Sequence, residues 1–312
     1  MVRGGEQMSL VRRPTEVTEQ VRKNKAKEKR GNTLVSAFSE HIDAINSIDY
    51  FDVLEVEKLV LREQEHLIKV METKKTYPKD LPRFSPSSSD KCDRELFYKA
   101  IRAEKDEEAP IPFRKRWTRN STAAHGGFQK QLLEAEVLLE NPAFTVARTD
   151  LGLPAWEKSV EDWKVITHNG VQFVIFGMCD GILEFHNPET GQKEKVILEY
   201  KTKSNSVAQI KQIKEVAPSH YWQCVAYSIL FDVSEYLVTY ESVAKDKWGT
   251  GENARPDFKV FHLKITDKER NALLDKFAAI AVNLQDGEVS APNFSKCMFC
   301  QYKSRCNETE SN

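Results

Sequence analysis

The run Val196-Ile197-Leu198, continued without a break by Glu199-Tyr200-Lys201, constrains this chain more than any other segment. Three consecutive apolar residues suit a strand covered on both faces, because a half-exposed strand would alternate apolar and polar positions. Successive side chains on a strand point to opposite sides, so Glu199 and Lys201 share one face and Tyr200 takes the other. Glu-x-Lys on a strand is most often a solvated face. At the end of a doubly covered strand, however, charges are costly unless they bind a metal or one another.

The preceding segment, Val171 to Phe185, is rich in β-formers and carries Asp180, and Asn187-Pro-Glu-Thr-Gly-Gln192 is a turn cluster. Together they read as a β-hairpin across which Asp180 meets Glu199 and Lys201. Two carboxylates with one ammonium are the side chains of a metal-dependent phosphodiesterase.

Two helices bring further candidates. In Ser219 to Phe231 the apolar positions Trp222, Val225, Ala226, Ile229 and Leu230 recur at helical spacing, and Gln223 and Tyr227, four apart, share a face. Upstream, Ser121 or Thr122 reads as the N-cap of a helix with an apolar stripe of Leu132, Leu133, Val137 and Leu138, which puts His125 in its first turn. A single histidine there is more often a capping or surface residue than a ligand.

Taken in order, His125, Asp180, Glu199-Tyr200-Lys201 and Gln223-x3-Tyr227 resemble the RecB-type nucleases of the PD-(D/E)XK superfamily over roughly residues 83 to 307. The resemblance implies an α/β fold, a restriction-endonuclease-like mixed sheet flanked by helices. It also implies Mg²⁺ or Mn²⁺ held by His125, Asp180, Glu199 and the Tyr200 backbone carbonyl. Lys201 would orient or activate the attacking water, and Gln223 and Tyr227 would support the site and the entering strand. Where such nucleases carry a glycine before the histidine, this chain has Asn120-Ser121-Thr122. The implied activity is DNA exonuclease, with or without endonuclease activity, preferring single strands and serving replication, recombination, repair or phage DNA metabolism. The competing readings are a non-catalytic DNA-binding or scaffold subunit and a zinc-stabilised protein-interaction module.

There are six cysteines in the 312 residues, and no secretory signal is evident at Met1 to Met8, so a disulfide framework is the poorer reading. Cys297-x2-Cys300-x5-Cys306 forms a cluster, with Cys92 far upstream. Four thiolates can hold a [4Fe–4S] cluster or a zinc ion. One distant cysteine before the core and three after it resembles the iron–sulfur subset of the same nucleases, of the AddB and CRISPR-adaptation type, which favours iron–sulfur over zinc. Bound there, the cluster would tie the start of the domain to its end. Cys179 and Cys224 fall outside the pattern and read as small buried hydrophobes.

With 46 basic and 47 acidic residues the net charge is −1, so attraction to DNA must be local. Arg114, Arg116, Trp117 and Arg119, just before His125, and Lys203 beside the candidate strand suit a groove that tracks a backbone and stacks bases. No P-loop of the form Gly-x4-Gly-Lys-Ser/Thr appears, so a helicase or recombination partner would be another chain. No apolar run is long enough to span a membrane, and the expected compartment is a reducing cytosol, bacterial or that of a virus-infected host.

The organisation expected is a basic flexible arm over 1–32, a helical extension over 33–80, the nuclease region over 83–307 and a tail over 308–312. After the hairpin, Glu235 to Ser242 and Phe258 to Ile265 alternate as strands around a loop at Trp248 to Pro256. Asp267 is expected to cap a helix reaching about Leu284.

Overall fold

The structure is a computed structural model that describes residues 14–50, 52–73, 78–107, 111–203, 207–245 and 256–311. The start of the chain and all of the loop at 248–256 except Pro256 lie outside the described residues. Among the described residues, no helix is long and apolar enough to cross a membrane.

Two mixed sheets form the frame. In the first, β4 (Val171–Gly177) pairs antiparallel with β3 (Asp162–His168) and parallel with the two-residue β1 (Arg83–Phe84). The second runs β2 (Phe144–Val146), β5 (Gly181–His186), β6 (Lys193–Lys203), β7 (Glu235–Ser242), β8 (Phe258–Lys264), with only β6 and β7 parallel. The expected mixed sheet flanked by helices is therefore present as two sheets. The Val171 to Phe185 segment is not one strand. It breaks at Met178-Cys179-Asp180, where the chain crosses from the first sheet to the second. Gly177 sits at the crossing because a Cβ there would lie 2.7 Å from the ring of Pro86.

Strand β6 is covered on both faces, as its apolar run requires. Val196, Leu198 and Tyr200 join a core with Leu34, Phe38 and Ile42 of α1 (Pro14–Asn46) and Phe128, Leu132 and Leu133 of α4 (Pro112–Leu138). Ile197 on the opposite face packs with Tyr236, Val238 and Tyr240 of β7, with α6 (Pro218–Phe231) and with α7 (Asp267–Asp286). The stacked rings of Phe128 and Tyr200, 4.4 Å apart, add about 1 kcal/mol to the area buried.

Helix α1 runs unbroken through position 32, so the basic run and the apolar positions after it are one element. Its basic end docks on the second sheet: Arg30 makes two hydrogen bonds to Glu235, at 3.3 and 3.0 Å, and is also paired with Glu194. Helix α2 (Leu54–Glu72) follows, with Glu63 buried against Trp156. Helix α3 (Asp93–Ala100), the short α5 (Val207–Gln212) and α8 (Lys303–Ser311) are the other α-helices of the described residues, and α8 continues into the expected tail as far as Ser311.

Two helix starts differ from expectation. Helix α4 begins at Pro112 rather than at Ser121 or Thr122, which places His125 in its middle. The hydroxyls of Thr118 and Thr122 bond back to Arg114 O and Thr118 O, and Ser121 bonds to Thr202, so these residues are accommodated inside the helix. Helix α7 is capped by Thr266, not Asp267: its side chain and that of Glu269 form a reciprocal capping box.

Candidate active site

Register places the candidate residues. Gly181 pairs with Leu198, so continuing the ladder one step back sets Asp180 opposite Glu199. The Tyr200 N–H donates to Asp180 Oδ2 at 2.8 Å, and Gln129 of α4 donates to the Asp180 carbonyl at 2.9 Å. His125, one helical turn before Gln129, has its Nδ1 4.0 Å from Asp180 Oδ1 and sets its ring edge-on to Tyr200. The Tyr200 side chain points to the other face, where its hydroxyl donates to Glu241 at 2.6 Å.

Glu199 is fully buried, and neither of its carboxylate oxygens has a well-formed hydrogen bond among the described residues. Lys201 Nζ makes an ion pair with Oε1 outside hydrogen-bonding geometry. Burial and the neighbouring Asp180 push the Glu199 carboxyl well above the usual range, opposed by Lys201 and by the Tyr227 hydroxyl. Burial acts to lower the pKa of Lys201, but Glu199 and Asp180 outweigh it and hold the ammonium protonated. On α6, Gln223 Nε2 donates to the Tyr227 hydroxyl at 2.7 Å, and Tyr227 acts on Glu199 from the helix.

Asp180, His125 and Tyr227 open onto a cleft of about 550 Å³. Its walls are rich in hydroxyls: Ser85 and Ser87 before α3, and Thr118, Ser121 and Thr122 on α4. Glu157 and Lys158 complete the rim, on a loop that Trp156 and Ser159 anchor to Glu63 at 2.5 and 3.2 Å. Glu157 has φ of +42° and gives its N–H to Cys179 O at 2.7 Å. The sequence carries no signal for this loop, since its place depends on contacts with α2.

Along the exposed first half of α4, Arg114 and Trp117 line a shallower groove with Thr118, Ser121 and Thr202; Thr118 and Ser121 are shared with the cleft. Trp117 is 51% exposed. Arg116 and Arg119 are exposed on another side of the same helix, by helical spacing. Lys203 Nζ lies over the Tyr240 ring at 5.3 Å.

Cys92, Cys297, Cys300 and Cys306 line one cavity of about 190 Å³. Asn293 N–H points at Cys92 Sγ from 3.0 Å and Arg94 at Cys306 Sγ from 3.6 Å. The two ends of the domain are also tied here by Lys296 to Asp90 at 2.6 Å and Arg94 to Ser290 O at 2.8 Å. Cys179 and Cys224 are elsewhere, fully buried in the core. Among the described residues, no three His, Cys, Asp or Glu side chains converge as they would on a single ion.

The donor sets nevertheless fit the groups in question. A buried carboxylate without hydrogen bonds, next to a second one, is a place for a divalent cation. Four thiols with N–H donors directed at sulfur suit a thiolate-held metal group.

Such a frame, with paired carboxylates and a lysine where β5 and β6 meet, is that of a metal-dependent nuclease fold. The sequence profile of the PD-(D/E)XK nuclease superfamily matches residues 89–307, and the chain belongs to that superfamily. Comparison with curated proteins found no match. Among solved structures, the chain is similar to SSO0001 at 14% identity and a TM-score of 0.40, covering 83% of this chain and 98% of that one. It is also similar to an alkaline exonuclease from Laribacter hongkongensis at 11% identity and a TM-score of 0.37, covering 73% and 94%. A phage related exonuclease from Haemophilus somnus 129PT matches at 12% identity and a TM-score of 0.32, covering 62% and 79%.

Proposed function

We propose that this chain is a Mg²⁺- or Mn²⁺-dependent deoxyribonuclease that shortens DNA from its ends and prefers single strands. The observation that carries this reading is Glu199, a fully buried carboxylate whose oxygens lack a well-formed hydrogen bond, set opposite Asp180, which opens onto the cleft. His125, Asp180, Glu199 and the Tyr200 carbonyl would hold the cation. A divalent ion bound there supplies positive charge against the phosphate under attack.

The protein's own groups do the rest. Lys201, held protonated, orients the attacking water. Attack joins the water oxygen to phosphorus and breaks the bond to the 3′ oxygen; the proton the water loses ends on that oxygen, leaving a 3′-hydroxyl and a 5′-phosphate. Gln223 fixes Tyr227, and the Tyr227 hydroxyl steadies Glu199. The strand would lie along α4, with a base on Trp117 and phosphates near Arg114 and Lys203, while Arg116 and Arg119, on another side of the helix, would attract DNA at longer range.

Cys92, Cys297, Cys300 and Cys306 would hold a [4Fe–4S] cluster, with zinc as the alternative; their common cavity and the donors directed at two of the sulfurs support the assignment. The cluster would act as a clasp between the ends of the domain. All six cysteines are free, which suits a reducing cytosol. A helicase or recombination protein would supply unwound DNA.

The test is digestion of end-labelled linear and of circular DNA, single- and double-stranded, with Mg²⁺, Mn²⁺ or a chelator. Linear single strands should be degraded fastest, circles should resist, and the chelator should stop the reaction. A folded, metal-loaded protein that cuts none of them would leave the scaffold reading in its place.

A further inference from the structure

Tyr240 organises a second group of polar side chains on the face of the sheet that carries Glu199 and Lys201. It is the register partner of Lys201 in the parallel β6–β7 ladder. Its ring carries Lys203 Nζ at 5.3 Å and meets the His220 ring at 5.6 Å. Its hydroxyl is 2.8 Å from His220 Nδ1 and accepts the Ala217 N–H at 3.2 Å. Helix α6 presents His220 one turn before Gln223, on the flank that faces the end of β6.

These bonds fix the imidazole. Oη accepts from Ala217, and with its own hydrogen turned to Nδ1 the neutral ring carries its proton on Nε2, the tautomer on which the proposal below rests. Burial, followed by Lys201 and Lys203, pushes the His220 pKa down to about 4, and the ring is neutral near pH 7. Among the described residues Nε2 has no hydrogen-bond partner. A fixed N–H donor beside two ammonium groups is an arrangement for an oxyanion.

Lys203 lies two strand residues beyond Lys201, about 6.6 Å along β6. That is the scale of one step along a sugar–phosphate chain. Resting on the function proposed above, we infer that Lys203 and the Nε2–H of His220 form a subsite for the phosphodiester next to the one under attack, with Tyr240 setting the tautomer. The subsite gives the strand a register: the scissile phosphate meets Lys201 only when its neighbour is seated.

The experiment uses the metal-loaded protein and short end-labelled single strands in which one linkage beside the first cut is a neutral methylphosphonate, on either side in turn. At one of the two positions the methylphosphonate should lower kcat/KM of the wild type roughly tenfold, as expected for loss of a charged hydrogen bond. His220→Ala should lose about as much on unmodified DNA, and the variant on modified DNA should lose little more. His220→Gln, which keeps a donor near Nε2, should recover part of the rate. Lys203→Ala, at the end of the strand, runs the same cycle should His220→Ala fold poorly. Fully additive losses at both positions, or wild-type rates in both variants, would overturn the subsite while leaving the nuclease reading intact. Failure of the wild type to cut unmodified DNA would overturn both.

Discussion

The Asp180 carboxylate completes the ladder between β5 and β6 by accepting the Tyr200 N–H at 2.8 Å. Register would put Cys179 opposite Tyr200, but the Cys179 carbonyl is turned to Glu157 N–H instead. A side chain therefore replaces a backbone acceptor. Asp180→Ala and Asp180→Asn should both abolish cleavage and leave DNA binding largely intact. They should differ in stability. Ala leaves a buried N–H unsatisfied at a cost of about 1–3 kcal/mol, a fall of several degrees in Tm, whereas Asn retains an oxygen acceptor. Melting curves recorded beside cleavage rates check this, and equal Tm losses would show that the bond is not structural.

Glu199→Gln removes one partner of the buried ion pair with Lys201. The metal-free variant should melt below the wild type, because it leaves the Lys201 ammonium without that partner. It should also lose cleavage and the rise in Tm that Mn²⁺ gives the wild type. Thermal shifts with chelator and with Mn²⁺ measure both; an undiminished metal response would remove Glu199 from the cation site.

Replacing Cys92, Cys297, Cys300 or Cys306 by Ala should lower iron content and stability, because each lines the same cavity at the junction of the domain's two ends. Cys179→Ala and Cys224→Ala should keep the metal. Iron and zinc analysis of the six variants, with absorbance near 400 nm, decides between cluster and zinc. Full metal in Cys92→Ala would show that the wrong four were chosen.

His41 on α1 is 4% exposed, and neither ring nitrogen has a partner among the described residues. Burial, and then nearby His186, depress its pKa from 6.5 to about 4. The unfolded chain thus takes up this proton first as the pH falls. Stability from this group is present above about pH 6.5 and is lost between there and pH 4, up to about 3 kcal/mol. His41→Phe, packing toward Phe144, should flatten that limb of the curve of Tm against pH. An unchanged limb would assign the loss to other groups.

Gly177→Ala should cost stability and cleavage together. Its Cβ would meet the Pro86 ring at 2.7 Å, beside Ser85 and Ser87 on the cleft wall. The expected cost is about 1–3 kcal/mol, as for overpacking. Gly191, with nothing near a built Cβ but φ of +69°, is the control for backbone strain away from the cleft. Urea melts and cleavage rates of the two variants should separate the effects.

Local pattern alone determined that Glu199 and Lys201 share a face, that β6 is covered on both sides and that Gln223 and Tyr227 lie together on a helix. Those relationships depend on the two-residue period of a strand and the four-residue neighbourhood of a helix, which a short stretch of sequence contains in full. It also carried the cysteine spacing and the strands at 235 and 258. The start of α4 was not legible, because Ser121 and Thr122 serve equally as caps or as interior residues whose hydroxyls find other partners, and only packing chooses. The break at Cys179 was hidden for a similar reason: β-formers on both sides outweigh the local signal of Gly177, Asp180 and Gly181, and the crossing between sheets is set by Pro86 against Gly177 and by Glu157 on the Cys179 carbonyl. Tertiary structure alone brought His125 to Asp180, four cysteines to one cavity, Glu63 to the cleft loop and His220 to Tyr240. Each joins segments far apart in the chain, and such contacts form only when burial of the layers between them offsets the entropy of closing the loops.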